Sequence, residues 1–399
     1  MPPTISRLIQ ALEPSATLAM AAKARELKAS GRTIYDFSVG EPDFNTPAHI
    51  CEAAIAAMRE GHTHYTASSG VIELRTAIAN RYRQVHGLEY SPLQVIVSNG
   101  AKHSLHNAFT VLCDPGDEVI IPAPYWVSYA ELVKLASGKP VIVPTSEAED
   151  FKLTPARFKA AITPKTKVLL LCSPSNPTGS MYSKDELAAL ADIVIEHNLT
   201  VISDEIYERL VYGNHKFTSF ATVRPGLVDR VITINGVSKA YAMTGWRIGW
   251  SLAPPNIAKA MDSLQSQETT NASSVSQYAA LAAIEGPQNC VDEMLVEFAK
   301  RREYVQKRIA SLPKLSTCEM GGAFYAFINI QAHLGRTYNG AAVNNSAEWC
   351  LQLLSQQGVA TVQGSAFGAE GYIRMSFATS MANIQHGFDK IEAFLNSPA

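Results

Sequence analysis

The chain has 399 residues, of which 47% are hydrophobic and 18% are charged, and its formal net charge at pH 7 is −2. This composition is typical of a compact enzyme, and the length is sufficient for two domains or one large α/β body. A nearly neutral chain offers no electrostatic field to nucleic acid or to an acidic membrane surface, so neither is expected as a partner.

The six cysteines lie far apart without a CxxC pair, and the ten histidines contain no HExxH motif. This pattern indicates unpaired core cysteines in a reducing compartment, and it predicts neither a disulfide framework nor a bound metal. The sequence shows no signal peptide and no apolar run of about 18 residues, so we expect a cytoplasmic protein without a membrane partner.

The N-terminal part of the chain is predicted to contain three helices and one strand. A helical pattern covers residues 15–30, and an apolar strand over residues 33–39 ends at Gly40. Two further helices are predicted over residues 48–60 and 71–86, each followed by a glycine.

From residue 94 onward, predicted strands and helices alternate. The strands cover residues 94–98, 118–122, 140–144, 167–172, 199–203 and 231–235. The helical patterns between them cover residues 101–112, 126–137, 154–161 and 184–197. Because helices separate successive strands, the pattern predicts a mostly parallel sheet between two helical layers. Such sheets bind ligands at the carboxyl ends of their strands, so the residues that follow each strand are the candidates for a site.

The pattern changes after Ala253. Helices are predicted over residues 256–310, and a smaller α/β region follows. Its predicted strands cover residues 323–330, 359–363 and 372–378. We therefore expect a large domain at residues 47–310, including bridging helices, and a small domain at residues 311–399 that also takes in part of residues 1–46.

The most informative stretch surrounds Lys239. This lysine follows the predicted strand over residues 231–235, small residues come after it, and Arg247 lies eight positions later. Burial at a strand end disfavours the charged form of a lysine, which makes its amine a nucleophile. Small neighbours leave room for a flat cofactor bonded to that amine, and the arginine fork suits a phosphate.

Three other strand ends each allow two interpretations. Residues 98–102 join a strand to a helix start, where backbone N–H groups attract an anion, but they also fit a plain turn and lack the Walker and GxGxxG spacings. Trp126 either offers a flat face to an aromatic ring or packs in the core. Asn176 lies between two prolines and is either a rigidly placed amide or part of an ordinary turn.

Two charged residues are predicted to be buried. Asp204 ends an apolar strand, with Tyr207 three residues later. A carboxylate there requires a cation such as a protonated pyridine nitrogen, unless it caps a helix. Arg374 lies inside another apolar strand and needs a carboxylate, which either a structural glutamate or a bound substrate supplies.

Taken in order, these stretches resemble the class I, fold-type I aminotransferases that depend on pyridoxal phosphate (PLP), and most closely the bacterial aspartate aminotransferase subgroup. The resemblance is carried by residues 40–44, 124–126, 176–179, 203–207, 238–249 and 374–376. It implies an α/β fold in which a large PLP-binding domain contains a mostly parallel seven-stranded sheet between helices. It also implies a smaller α/β domain built from the N- and C-terminal segments.

The resemblance implies a role for each matched residue. Lys239 would form a Schiff base with PLP and move the substrate proton, Asp204 would pair with the pyridinium nitrogen, and Tyr207 would bind the phenolic oxygen. These three residues form the implied catalytic set. The implied cofactor-binding residues are Lys239, Gly100, Ala101, Lys102, Trp126, Asn176, Asp204, Tyr207, Ser238, Arg247 and, from the neighbouring subunit of a homodimer with shared sites, Tyr65. The implied substrate-binding residues are Gly40, Trp126, Asn176, Arg374, Lys102 and Thr17.

The implied reaction moves the amino group of L-aspartate to 2-oxoglutarate by a ping-pong mechanism. Lys102 matches the lysine that binds the side-chain carboxylate in the similar subgroup. Relatives that also accept prephenate resemble this chain except for a basic residue at the position of Glu13, and a carboxylate there would repel such a dicarboxylate.

Alternative functions differ in how far they depart from this reaction. A β-lyase, a β-decarboxylase, or an aminotransferase that prefers aromatic, prephenate, kynurenine or alanine substrates would keep the same PLP residues. A PLP-binding transcription regulator needs a DNA-binding segment ahead of the fold, which we do not expect in the dozen residues before Pro14. An α/β binding protein without catalysis would show no absorption from a lysine-bound cofactor.

Overall fold

The computed structural model describes residues 4–398. The first five elements of the chain are four helices and one short strand. In order they are α1 (Arg7–Gln10), α2 (Ala16–Ala29), β1 (Tyr35–Asp36), α3 (Ala48–Arg59) and α4 (Ile72–His86). The side chain of Ser15 accepts a hydrogen bond from the Leu18 N–H and caps α2, which fixes where that helix begins.

The largest sheet has seven strands. In chain order they are β2 (Val95–Ser98), β3 (Glu118–Ala123), β4 (Lys139–Pro144), β5 (Thr166–Cys172), β6 (Thr200–Asp204), β7 (Val231–Gly236) and β8 (Gly249–Leu252). Their order across the sheet is β2-β8-β7-β6-β5-β3-β4. All pairs from β7 to β4 are parallel, whereas β8 runs antiparallel to both β7 and β2. The predicted mostly parallel sheet is therefore confirmed.

Helices cover both faces of this sheet. They are α5 (Ala101–Leu112), α6 (Ser128–Leu135), α7 (Pro155–Ala161), α8 (Lys184–Glu196), α9 (Pro255–Glu268) and α10 (Ser274–Glu285). The next helix, α11 (Asn289–Ser311), packs mainly in the apolar core of the C-terminal unit. Alternate residues of β5 enter different apolar cores, with Leu169 and Leu171 on one face and Val168 and Leu170 on the other. Burial on both faces explains why this strand is a continuous apolar run.

The C-terminal part forms a second, smaller α/β unit. Its elements are β9 (Tyr325–Asn329), β10 (Arg336–Tyr338), β11 (Ala341–Val343), α12 (Ser346–Gln357), β12 (Val359–Ala360), β13 (Val362–Gln363), β14 (Tyr372–Ser376) and α13 (Met381–Leu395). A three-stranded sheet has the order β13-β14-β9, and β1 pairs in parallel with β12. The N-terminal segment thus joins the C-terminal strands by backbone hydrogen bonds.

The six predicted strands between residues 94 and 235 are confirmed to within one residue at either end. The predicted strand over residues 33–39 is wrong in extent, because only Tyr35–Asp36 finds a partner strand. The predicted strand over residues 359–363 divides at Thr361, since β12 pairs with β1 and β13 pairs with β14. The sequence pattern also does not predict β8, whose position depends on its two neighbours in the sheet.

Two further predictions concern the whole chain. Within residues 4–398, no helix combines the length and the apolar character needed to cross a bilayer. The six cysteines are all unpaired, as the sequence predicts.

Candidate active site

A cleft of about 280 Å³ opens at the carboxyl ends of β5, β6 and β7. Its lining comes from the seven-stranded sheet, from the N-terminal segment and from the three-stranded sheet. The predicted site residues that line it are Thr17, Gly40, Ala101, Lys102, Trp126, Asn176, Asp204, Tyr207, Ser238, Lys239, Arg247 and Arg374. The structure therefore gathers in one place residues from almost the whole length of the chain.

Two predicted site residues do not line this cleft. Gly100 lies just behind it at the N-cap of α5, with a φ of +83°. The positive φ favours glycine, and a side chain there would also displace the guanidinium of Arg247. Tyr65 lies outside the cleft, is 88% exposed and lines a separate groove beside Tyr278. Its predicted role concerns a neighbouring subunit.

Lys239 extends into the cleft from the loop after β7. Its Nζ donates a hydrogen bond to the carbonyl oxygen of Gly40 at 2.7 Å. Burial of the amine lowers its pKa to about 8; nearby Glu41 opposes this shift, and the positive charge of Arg374 adds to it. The amine therefore gives up its proton much more easily than a solvated lysine does.

Asp204 ends β6 and is 4% exposed. Its carboxylate accepts hydrogen bonds from the hydroxyl of Tyr129 at 2.7 Å and from the backbone N–H of Ile206 at 3.2 Å. Burial raises the pKa of this carboxyl to about 6 against the opposing effect of these bonds. No helix begins directly after Asp204, so the alternative of a helix cap is wrong. A buried acid of this kind favours a positively charged ligand group.

Arg374 lies on β14 and is 1% exposed. It donates from Nη1 to Oδ1 of Asn176 at 3.1 Å and from Nη2 to the carbonyl oxygen of Ser38 at 2.5 Å. Its Nε is buried without a hydrogen-bond partner, and no carboxylate in residues 4–398 forms an ion pair with it. The alternative of a structural glutamate is therefore wrong. A buried arginine with only neutral partners favours an anionic ligand.

The other end of the cleft is formed by the start of α5. No side chain caps this helix, and its first residues Ala101 and Lys102 line the cleft together with Arg247, so the positive end of the helix lies at the cleft. Arg247 adopts a left-handed backbone conformation with φ at +57° and donates to the carbonyl oxygen of Thr244 at 2.8 Å. Partial burial lowers the pKa of Lys102, and the like charge of Arg247 lowers it further.

The charges of the cleft are unbalanced. Its lining contains four cations, Lys102, Lys239, Arg247 and Arg374, but only one carboxylate, that of Asp204. Such a surplus favours ligands with several negative charges. The Nζ of Lys102 also lies 4.8 Å from the ring centre of Trp126, a half-buried indole that lines the cleft on one side and packs against an apolar core on the other.

Sequence reasoning missed three residues of the cleft or its border. Tyr129 donates to Asp204, Ser38 accepts from Arg374, and the Tyr325 hydroxyl lies 2.9 Å from that of Tyr207. Tyr129 follows Trp126 by three residues at a helix start, a spacing that could have indicated it. Nothing in the sequence indicates Tyr325, because its partner is 118 positions away.

A family model described as aminotransferase class I and II matches residues 32–391. This chain belongs to the class I and II aminotransferases. The family expected from the sequence motifs is therefore confirmed, and so is the enzymatic class. The cleft that contains Lys239, Asp204 and Arg374 lies within the matched region.

Relatives of this aminotransferase match along its whole length. An aspartate aminotransferase from Geobacillus stearothermophilus is 45% identical, covering 99% of this chain and 100% of the relative. An aspartate/prephenate aminotransferase from Nitrosomonas europaea is 43% identical, covering 98% and 100%. Among solved structures, the aspartate aminotransferase from Rhizobium meliloti matches with a TM-score of 0.95 at 39% identity, covering 99% and 100%. The predicted α/β fold is thus confirmed by proteins of known structure.

Proposed function

We propose that this aminotransferase uses PLP to move the amino group of L-aspartate to 2-oxoglutarate, forming oxaloacetate and L-glutamate by a ping-pong mechanism. The main observation behind the proposal is that three functional groups line the same cleft. It holds a lysine of lowered pKa, a buried aspartate and a buried arginine without an acidic partner. The full-length relatives named aspartate aminotransferases support the choice of substrate.

The residues of the cleft fit PLP. The Lys239 amine can bond an aldehyde, the buried Asp204 can hold a pyridinium proton, and the uncapped start of α5 can bind a phosphate. The excess of three cations in the lining suits a phosphate together with substrate carboxylates. When bound, PLP supplies an electron sink conjugated to the substrate α-carbon, which makes its proton removable.

In this proposal each residue of the catalytic set, Lys239, Asp204 and Tyr207, acts on a different group of the substrate or cofactor. Lys239 would move the proton between the substrate α-carbon and the cofactor, since its lowered pKa gives it a larger neutral fraction near pH 7 than a solvated lysine has. Asp204 would hold the pyridine nitrogen of PLP in its protonated form. Tyr207, helped by Asn176, would hydrogen-bond the phenolic oxygen, and Trp126 would offer its ring face to the cofactor.

Binding of the substrate is assigned to the cationic ends of the cleft. The fork of Arg374 binds the α-carboxylate, aided by Asn176 and the backbone of Gly40. Lys102 and Thr17 bind the side-chain carboxylate. The Thr17 hydroxyl oxygen is buried and lacks a partner within residues 4–398, so a ligand oxygen there would satisfy it. The structure of a Thermus thermophilus aspartate aminotransferase with maleate, a dicarboxylate, supports a substrate of this class.

Prephenate is not part of the proposed substrate range. Glu13 donates its backbone N–H to Oε2 of Glu131 at 3.1 Å, and Ser15, two residues later, lines the cleft. The carboxylate of Glu131 therefore lies against the N-terminal segment next to the cleft, where negative charge disfavours a dicarboxylic substrate of larger size. The Nitrosomonas europaea relative carries the name aspartate/prephenate aminotransferase, so prephenate belongs among the substrates to be measured.

The proposal includes a homodimer with shared active sites in the cytoplasm. Tyr65 would reach the phosphate site of the other subunit, and the 88% exposure of its side chain in the single chain supports such a role. The division into residues 1–46, 47–310 and 311–399 is also proposed. The pairing of β1 with β12 supports a small domain that includes part of the N-terminal segment.

Two experiments test the proposal. Borohydride reduction of the PLP-loaded protein followed by peptide mapping should place the cofactor on Lys239, and a label on any other residue overturns the proposal. With 2-oxoglutarate as the acceptor, the initial rate should be highest for aspartate among the donors aspartate, phenylalanine and alanine. Prephenate is measured in a separate arm, as the acceptor with glutamate or aspartate as the donor. Parallel double-reciprocal lines are expected, whereas release of ammonia, pyruvate or CO₂ in place of amino transfer identifies a lyase or decarboxylase.

A further inference from the structure

We propose that Tyr325 is a positioning residue of this site, which donates a hydrogen bond to Tyr207 and holds the guanidinium of Arg374 on its ring. The inference rests on the proposed function, because Tyr207 is the residue proposed to bind the phenolic oxygen of PLP. It assigns a task to a side chain that the sequence motifs do not include.

Tyr325 lies at a contact between the two sheets of the site. It opens β9 in the three-stranded sheet, lines the cleft and is 1% exposed. Tyr207 follows β6 of the seven-stranded sheet and is also buried. The two hydroxyl oxygens are 2.9 Å apart, and the rings meet edge to face with an interplanar angle of 85°. This packing fixes the position of both phenols.

The distance between the two hydroxyl oxygens allows either phenol to donate, and the proposed direction is the one that leaves Tyr207 a hydrogen for the cofactor. Each phenol has one hydrogen to donate, and within residues 4–398 each hydroxyl has the other as its partner. Only one of the two hydrogens can lie between the oxygens. If Tyr325 donates, the hydrogen of Tyr207 is free to point at the cofactor. A phenol that accepts a hydrogen bond also becomes a stronger donor, so Tyr325 strengthens the bond that Tyr207 makes to the ligand.

The ring of Tyr325 has a second contact. The guanidinium carbon of Arg374 lies 4.6 Å from its centre. The strand register explains this contact, because Tyr325 pairs with Ser376, two residues from Arg374 on the same face of the sheet. A cation held on an aromatic face in a desolvated site is confined in orientation. Tyr325 therefore helps to aim the fork of Arg374 at the substrate carboxylate.

The hydroxyl of Tyr325 also limits the residue at position 40. A side chain on Gly40 would collide with that hydroxyl, and the carbonyl oxygen of Gly40 accepts the hydrogen bond of Lys239. Tyr325 thus contacts Tyr207 and Arg374 directly, and it lies against Gly40, the residue that accepts the hydrogen bond of Lys239. Removal of its hydroxyl and removal of its ring should have different consequences.

The test separates these two contributions. Tyr325→Phe removes the hydroxyl but keeps the ring, and Tyr325→Leu removes both. Tyr212→Phe is the matched control, since Tyr212 is a buried tyrosine whose hydroxyl bonds to the backbone of Ala323 outside the cleft. Thermal unfolding of each variant measures the cost of losing a buried hydroxyl. The pH midpoint of the visible absorption of bound PLP measures the donor on its phenolic oxygen.

In Tyr325→Phe we expect this midpoint to rise by about 0.5 pH units, because a weaker donor stabilises the deprotonated cofactor less. The kcat should fall about fivefold while the KM for aspartate changes little. In Tyr325→Leu the KM for aspartate should also rise several-fold, because Arg374 keeps only one of its two aromatic contacts, the Phe367 ring at 5.0 Å. Tyr212→Phe should leave the midpoint, kcat and KM unchanged.

A Tyr207→Phe background decides whether Tyr325 acts through Tyr207. There the Tyr325→Phe change should no longer shift the midpoint, and an unchanged shift overturns the inference. A midpoint in Tyr325→Phe equal to that of Tyr212→Phe overturns it as well. If the wild-type protein itself shows no absorption from bound PLP, the proposed function fails instead, so the two failures are distinguishable.

Discussion

The two sides of the cleft differ in how completely the chain satisfies their polar groups. The cofactor side comprises Ala101, Asp204 and Lys239, which follow strands of the seven-stranded sheet. The substrate side comprises Thr17 and Arg374, which lie on α2 and β14. On the cofactor side, the carboxylate of Asp204 and the amine of Lys239 have hydrogen-bond partners. On the substrate side, the Thr17 hydroxyl and the Nε of Arg374 are buried without partners.

This difference indicates that polar groups on the substrate side gain hydrogen bonds when a ligand binds. A buried donor without a partner costs about 1–3 kcal/mol, and a ligand that satisfies it recovers that cost on binding. On the cofactor side, burial instead shifts the pKa values: that of Lys239 is lowered to about 8 and that of Asp204 is raised to about 6. Substitutions on the cofactor side should therefore affect protonation and catalysis, and substitutions on the substrate side should affect substrate binding.

The largest effect is expected from Lys239→Ala on the cofactor side. Loss of both the covalent anchor and the proton carrier should lower kcat by about 10⁴-fold or more. The rate of oxaloacetate formation from aspartate measures this loss. Lys259→Ala, which removes an exposed lysine of α9, should leave the rate unchanged. A Lys239→Ala protein with a kcat close to that of the wild type would refute the catalytic assignment.

Arg374→Ala on the substrate side should lower kcat/KM for aspartate by about 10²- to 10³-fold, because a bidentate, charge-assisted pair is lost. It should lower the free energy of unfolding through the lost packing and the two lost hydrogen bonds to Asn176 and Ser38, but it leaves no carboxylate without its cation. Arg301→Ala provides the contrast, because Arg301 is buried and pairs with Asp43 at 2.6 Å. Urea unfolding should show destabilisation for Arg301→Ala. A lower free energy of unfolding for Arg374→Ala than for Arg301→Ala would contradict this difference between an unpaired and a paired arginine.

Asp204→Asn should stabilise the PLP-free protein at pH 7 by about 2 kcal/mol, because the pKa of this buried acid is raised. An acid with a raised pKa contributes stability below its unfolded pKa and loses that stability as the pH rises through about 6. The variant should therefore lack this fall between pH 4 and 6 in urea unfolding.

The same Asp204→Asn change should weaken PLP binding and lower kcat, since the charge that holds the pyridinium proton is gone. Asp229→Asn, at an exposed aspartate, serves as the control for loss of one negative charge. Equal pH dependence of unfolding in Asp204→Asn and in the wild type would show that the buried carboxyl is not the titrating group.

The smallest effect is expected from Lys102→Ala. The KM for aspartate should rise about tenfold, because one charge-assisted contact to the side-chain carboxylate is lost. The KM for alanine or phenylalanine should change little, as these substrates lack that carboxylate. Lys134→Ala, on α6 and paired with Glu131, tests for a general effect of lost positive charge. Equal changes in KM for all donors would remove the case for a dicarboxylate.

Much of the cofactor side could be predicted from the sequence. Asp204 ends one apolar strand and Lys239 lies in the loop after another, and parallel strands place their carboxyl ends at one edge of the sheet. Sequence order and hydrophobic pattern therefore bring these residues together without any knowledge of packing. The residue roles on both sides stay predictions until the variants are measured.

The sequence by itself determined the strand and helix alternation, the family motifs and the residues at the strand ends, because these depend on local pattern. Only the tertiary structure decided that Arg374 has no acidic partner, that Tyr325 contacts Tyr207, and that one stretch of chain divides into β12 and β13. Each of these depends on segments far apart in the chain. Their contacts follow from how the two sheets pack, which no local pattern encodes.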